Sequence, residues 1–116
     1  MHEVSIVEAL IEQVEGEVAR AGAAGKVTRL SLSIGRLSGV QPDSIRFAFE
    51  LLSPGTLVEN AALEIEEPPA VCVCAGCGAR TELDDFCLEC PSCGSRDISI
   101  QGGREMLLQT IDLDEE

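Results

Sequence analysis

The chain has 116 residues, 45% of them apolar, enough to build a folded core and too many for global disorder. Twenty-one Asp and Glu against eight Lys and Arg leave a formal charge of −13, which repels phosphate backbones and anionic lipid surfaces. With 3% aromatics, no Trp and no Tyr, the rings on which single-stranded bases stack are also missing.

In chain order, the first element is a helix. Val4, Val7, Ile11, Val14 and Val18 recur at steps of three and four, and Leu10 widens the stripe. Glu3, Glu8, Glu12, Glu15 and Glu17 fall largely on the other face, and Gly22 and Gly25 supply a stop. From Val27 the period drops to two: Thr28, Leu30, Leu32 and Ile34 alternate with Arg29, Ser31 and Ser33, a half-buried strand. After a loop from Gly35 to Val40, Pro42-Asp43-Ser44 opens a second helix with an Ile45, Phe49 and Leu52 stripe. Ser53-Pro54-Gly55 ends it. Leu63 and Ile65 alternate with Glu64 and Glu66 in a short strand closed by Pro68-Pro69. A cysteine-dense segment then runs from about Val71 to Asp97, and Met106 to Leu113 reads as a last long strand before an acidic, solvated tail.

A cysteine segment placed between two strands implies that both strands belong to one sheet. The expected fold is therefore α+β: a small antiparallel-rich sheet with two helices on one face, carrying an inserted zinc-ribbon-like module. The expected division is 1–69 and 103–116 for the α+β domain and 70–102 for the four-cysteine module. A parallel doubly wound sheet would need more βα units than this length supplies. No apolar run approaches the roughly 18 residues of a spanning helix. Met1-His2-Glu3-Val4 is acidic and polar where a secretory signal is basic then greasy. A soluble, cytoplasmic chain with neither nucleic-acid nor membrane partners is expected.

All six cysteines lie between Cys72 and Cys93, and in a reducing compartment such a cluster reads as metal ligands before disulfides. Cys74-Ala75-Gly76-Cys77-Gly78 repeats as Cys90-Pro91-Ser92-Cys93-Gly94. Each C-x-x-C-G is a knuckle that offers two thiolates at one turn, with backbone N–H groups aimed at the sulfurs. Cys74, Cys77, Cys90 and Cys93 would close a four-thiolate site, and a closed site has no open position for a catalytic water, so it is structural. Zinc is favoured over iron, because rubredoxin-like iron sites wrap the metal in aromatic rings and only Phe86 is at hand. Cys87-Leu88-Glu89-Cys90 is also a C-x-x-C, but Pro91 behind it has no N–H to give a sulfur. For Cys72 and Cys87, packing, a reducible pair and minority ligation all stay open.

His2 is the only histidine. Its imidazole, the α-amine and the His2 and Glu3 amides can close on one metal as four nitrogens in a plane, which suits Ni(II) or Cu(II). Met1-His2-Glu3 opening an amphipathic helix, joined to Cys74-x-x-Cys77 and Cys90-Pro91-x-Cys93-Gly94-Ser95, resembles the HypA/HybF family of hydrogenase maturation nickel metallochaperones. Ile34-Gly35, Leu37-Ser38-Gly39-Val40, Phe47 to Leu52 and Gly103-Arg104-Glu105-Met106 share in the resemblance, which covers essentially the whole chain. It implies a non-enzymatic protein that carries Ni(II) as cargo on His2 with the backbone of Met1 and Glu3. It further implies structural Zn(II) on Cys74, Cys77, Cys90 and Cys93. The implied partners are a hydrogenase maturation GTPase, the [NiFe]-hydrogenase large subunit and, for some members, urease maturation proteins.

Two other readings compete. A zinc-ribbon adaptor that binds proteins without moving metal uses the same cysteines and gives His2 no role. A redox carrier would place iron in the four-thiolate site and would be coloured. Hydrolytic chemistry has little support: no G-x-x-x-x-G-K-[ST] loop occurs, and one histidine offers no nucleophile–base pairing.

Overall fold

The computed structural model describes residues 2–23 and 25–114. Helix α1 spans His2–Arg20, and the predicted stripe is its buried face from Val7 on: Val7, Leu10, Ile11, Val14 and Val18 are each under a tenth exposed, while Val4 is only half-buried. Its end is a paired cap. The Gly22 N–H donates to the Ala19 carbonyl and the Ala23 N–H to the Val18 carbonyl, a closure that requires the positive φ of 65° at Gly22. Strand β1 is Lys26–Ile34. The expected inward residues Leu30, Leu32 and Ile34 are all buried, but Ser33, expected outward, is buried too, and at the start Val27 is buried and Thr28 exposed. Thr28 instead donates its hydroxyl to the Asp112 carbonyl.

Helix α2, Pro42–Leu52, begins with Pro at its first turn, where a missing N–H costs nothing, and buries Ile45, Ala48 and Phe49. Leu52, expected on that stripe, is only half-buried. Helices α1 and α2 pack on one another. Strands β2 (Ala62–Glu66), β1 and β6 (Met106–Asp114) form one sheet in the order β2-β1-β6, so the last strand does return to lie beside the first. On that sheet Arg29 bridges all three strands, pairing with Glu64 at 3.0 Å and Asp112 at 2.9 Å. Both carboxylates push its guanidinium pKa further up.

The residues that intervene between β2 and β6 form a second three-stranded sheet: β3 (Ala70–Cys74) in the centre, flanked by β4 (Arg80–Leu83) and β5 (Ile98–Gln101). Both pairings are antiparallel, with Cys72 opposite Thr81 on one side and Ile100 on the other. The periodicity of β3 is easy to misread, because Ala70, Cys72 and Cys74 are buried while Val71 and Val73 are half-buried.

The chain divides into two compact units. The first takes in the described residues of Met1–Leu32, Val40–Ile65 and Leu108–Glu116; the second is Ser33–Gly39 and Glu66–Leu107. The loop Ser33–Gly39 thus clusters with the cysteine-bearing unit. There the backbones at Gly35 and Gly103 cross closely: a Cβ on Gly35 would lie 2.2 Å from the Gly103 carbonyl, and one on Gly103 would lie 2.6 Å from the Ala70 nitrogen, so a side chain at either forces a shift. Hydrogen bonds from the Gly35 N–H to the Glu105 carbonyl (2.8 Å) and from the Leu37 N–H to the Gly103 carbonyl (2.6 Å) lock this crossing. The core of the second unit is small: Ala70, Cys72 and Leu83, with Leu37, Cys87, Ile98 and Ile100 packed against them.

Candidate metal centre

The two knuckles are built alike because the sequence repeats. In the first, the Gly78 N–H donates to the Cys74 carbonyl at 2.9 Å and the Cys74 N–H to the Ala79 carbonyl at 3.0 Å. In the second, the Gly94 N–H donates to the Cys90 carbonyl at 2.8 Å and the Cys90 N–H to the Ser95 carbonyl at 2.7 Å. Each turn needs a left-handed residue, and Gly78 (φ 75°) and Gly94 (φ 78°) supply it. The turns then aim amides at sulfur: the Cys77 N–H reaches Cys74 Sγ and the Ser92 N–H reaches Cys90 Sγ, both at 3.4 Å.

The structure brings the Sγ atoms of Cys74, Cys77, Cys90 and Cys93 to within 4.8 Å of one another. The Cys74–Cys93 separation is 3.6 Å and the Cys77–Cys90 separation 3.7 Å. Four sulfurs about 2.3 Å from a tetrahedral metal stand about 3.8 Å apart, so the cluster has the size of a four-thiolate zinc site. Cys87 stands outside it, so the rival Cys87-x-x-Cys90 knuckle does not form.

The electrostatics of the metal-free cluster point the same way. Cys90 is pulled down to about 6, first by the Cys93 N–H and then by the Ser92 N–H. Cys74 is also lowered, chiefly by the Cys77 N–H. Cys93 receives the Ser95 N–H, which lowers it, but its contacts with the thiols of Cys74, Cys77 and Cys90 and its burial win and push it up to about 12. Cys77 is likewise raised: the Ala79 N–H and the Cys93 thiol lower it, but its contacts with Cys74 and Cys90 and its desolvation outweigh them. Some sulfurs are prepared to be thiolates and their neighbours are then forced to keep protons; only a cation among them lets all four ionise. The donor set therefore fits structural zinc. Phe86, the single aromatic of this unit, is 58% exposed beneath Arg104 and forms no aromatic wrap of the rubredoxin kind.

Of the other predicted site residues, Met1 and the side chain of His2 lie outside the described residues. Glu3 stands in the first turn of α1. It borders a groove of about 240 Å³ with Val4, Asp43, Ser44, Phe47, Ala48 and Leu51. Phe47 and Leu51 are each about three-fifths exposed there, at 60% and 59%. Sequence reasoning missed how Leu37 serves the second unit, because nothing in a loop motif announces that its leucine packs beside β3. It also left Cys72 open, and the structure seats it in the core, 1% exposed.

Comparison with known proteins agrees with the geometry. The pattern of one family, described as "Hydrogenase/urease nickel incorporation, metallochaperone, hypA", matches residues 1–113. The hydrogenase maturation factor HypA of Chlorobium limicola is 43% identical over 115 residues, covering 99% of this chain and 98% of that one. The HypA of Rhodobacter capsulatus is 41% identical over 113 residues, covering 97% and 99%. Among solved structures, the Ni metallochaperone HypA from Helicobacter pylori superimposes with a TM-score of 0.67 at 27% identity, covering 98% of both chains. A shared fold, a four-cysteine centre suited to zinc and identities of this size over nearly full length place the chain in the HypA family of nickel-incorporation metallochaperones.

Proposed function

We propose that this chain carries Ni(II) on its first residues and hands it to a nickel enzyme under assembly. The observation that carries the reading is the position of the only histidine: His2 sits beside the α-amine of Met1, at the start of a HypA-family chain with a four-sulfur centre elsewhere. As a HypA-family member the chain is a maturation factor rather than a catalyst, and it works with the hydrogenase maturation machinery. Within that machinery the proposed partners are a maturation GTPase and the [NiFe]-hydrogenase large subunit, with urease maturation proteins in organisms that make urease. The proposed compartment is the cytoplasm; among the described residues no helix is long and apolar enough to cross a membrane.

Nickel is cargo. The α-amine, the amides of His2 and Glu3 and the His2 imidazole form a planar four-nitrogen site, open on both faces, so a recipient's ligands can approach before the donor's leave. Imidazole must be neutral to ligate, so acid favours release. Cys74, Cys77, Cys90 and Cys93 hold zinc. When bound, zinc supplies folding energy and no reactive position.

The test is an N-terminal extension. Untagged protein binds one equivalent of nickel in a yellow planar form. A tag that converts the α-amine to an amide abolishes that band while leaving zinc content unchanged. Equal nickel affinity in tagged and untagged protein refutes the site. It would favour the zinc-ribbon adaptor, which gives His2 no role.

A further inference from the structure

Two cysteines are unused by everything above. Cys72 lies in the middle of β3, 1% exposed, in the core with Ala70 and Leu83. Cys87 belongs to the segment between β4 and the second knuckle, is half-buried, and packs against that same core. Burial pushes the Cys72 thiol pKa up, and the neighbouring Cys87 thiol adds to that rise. Neither is one of the four clustered sulfurs.

Cys87 is also held where it is. Asp84, at the start of its segment, is ion-paired with Arg36, whose guanidinium also donates to the Glu67 carbonyl at 2.8 Å. Phe86, the residue before Cys87, lies under Arg104 with the guanidinium carbon 5.3 Å from the ring centre. With the two anchored residues Asp84 and Phe86 just ahead of it, Cys87 has less conformational freedom to lose on bonding to a second thiol. Cys72 is screened from solvent and Cys87 is reachable, which assigns the order of attack.

We propose that Cys72 and Cys87 are a redox modification site, closing to a reversible disulfide with a low-molecular-weight disulfide such as oxidised glutathione as the oxidant. The Cys87 sulfur, having given its proton to water, attacks one sulfur of glutathione disulfide. The S–S bond of the oxidant breaks, one glutathione leaves as thiolate, and Cys87 is left in a mixed disulfide. The Cys72 sulfur then loses its proton and attacks the Cys87 sulfur, expelling the second glutathione. Two protein thiols are oxidised, one disulfide is reduced to two glutathiones, and the two protons released protonate them. The new bond rings residues 72–87, enclosing the Cys74–Cys77 knuckle, and leaves the four clustered sulfurs to the metal.

The test treats untagged, zinc-loaded protein with excess oxidised glutathione, blocks remaining thiols with iodoacetamide after chelation, and maps the tryptic peptides. Cleavage at Arg46, Arg80 and Arg96 puts Cys72, Cys74 and Cys77 on residues 47–80 and Cys87, Cys90 and Cys93 on residues 81–96. The expected product is the two peptides joined, lighter by two hydrogens at the bond, with alkylation at Cys74, Cys77, Cys90 and Cys93 and zinc retained until chelation. Dithiothreitol should separate them. Cys87→Ser should abolish the linkage while keeping one equivalent of zinc, so that its folding can be checked independently; Cys72→Ala serves as the second variant. A glutathione left on Cys87 without closure overturns the proposal. So does no reaction, or a bond that includes any of the four clustered cysteines.

Discussion

The two units of this chain solve the same problem with different means. The helix-bearing unit buries a long list of aliphatic side chains, among them Val7, Val14, Leu30, Leu32, Ile45 and Val58, each at or near zero exposure. The cysteine-bearing unit has a hydrophobic cluster of just Ala70, Cys72 and Leu83 with four partly buried neighbours, and its other buried apolar residues are Ile34 and the clustered cysteines Cys74 and Cys90. An aliphatic core of the first kind stabilises by area removed from water. The second kind is too small to fold on burial alone, and a structural metal makes up the difference. The comparison teaches that the cysteine centre belongs to the architecture of one unit, while the nickel site we propose belongs to the chemistry of the other's first residues.

The strongest way to break that contrast is to take the zinc away. Structural zinc contributes on the order of 10–16 kcal/mol of apparent binding energy that is also folding energy. Chelation, or Cys90→Ala, should therefore abolish amide protection in β3, β4 and β5 while α1 and β1 keep theirs, as read by hydrogen exchange. Acid should do the same by degrees. The Cys90 thiol is depressed to about 6, so the stabilisation its thiolate gives is present above the ordinary thiol range and is lost as pH falls through about 6. Zinc retention against a coloured chelator should accordingly fall progressively as pH drops from the ordinary thiol range towards about 6.

The converse variant strikes the other unit. Leu30→Ala removes a fully buried side chain and should cost about 2–5 kcal/mol, measured by urea unfolding followed at the helices, with zinc content unchanged. Simultaneous loss of zinc would show that the two units are one cooperative body and dissolve the distinction.

A smaller effect separates two glycines within the cysteine-bearing unit. Gly39 has φ 79° but open space around it, so Gly39→Ala should cost about 1–2 kcal/mol for the left-handed backbone alone. Gly103→Ala meets that same cost, and its Cβ would also fall 2.6 Å from the Ala70 backbone nitrogen, so it should lose more. Thermal unfolding of the two variants side by side checks the order.

Much of the fold was legible because its signals are local. The three-and-four spacing of α1, the proline opening α2 and the alternation of Leu30 to Ile34 each specify an element from adjacent residues, and the return of β6 beside β1 followed from where the cysteine segment sits. The four clustered sulfurs were legible for the same reason: a C-x-x-C-G knuckle is a local turn, written twice. What stayed hidden depends on partners distant in sequence. Strands β3, β4 and β5 are five, four and four residues long, too short for periodicity to speak. In β3 the inward positions are Ala and Cys while Val faces partly out, so hydrophobicity alone gives a weak phase. The Gly35–Gly103 crossing joins residues 68 positions apart, and no neighbour of either glycine foretells the other.

The most direct test of the two-metal division is X-ray absorption at both metal edges on untagged protein loaded with one equivalent each of zinc and nickel. The zinc edge should show four sulfur neighbours at about 2.3 Å. The nickel edge should show nitrogen neighbours with no sulfur, and His2→Ala should remove that nickel while leaving the zinc spectrum untouched. Sulfur around nickel, or a nickel signal indifferent to His2→Ala, would place the cargo in the cysteine centre and contradict the account.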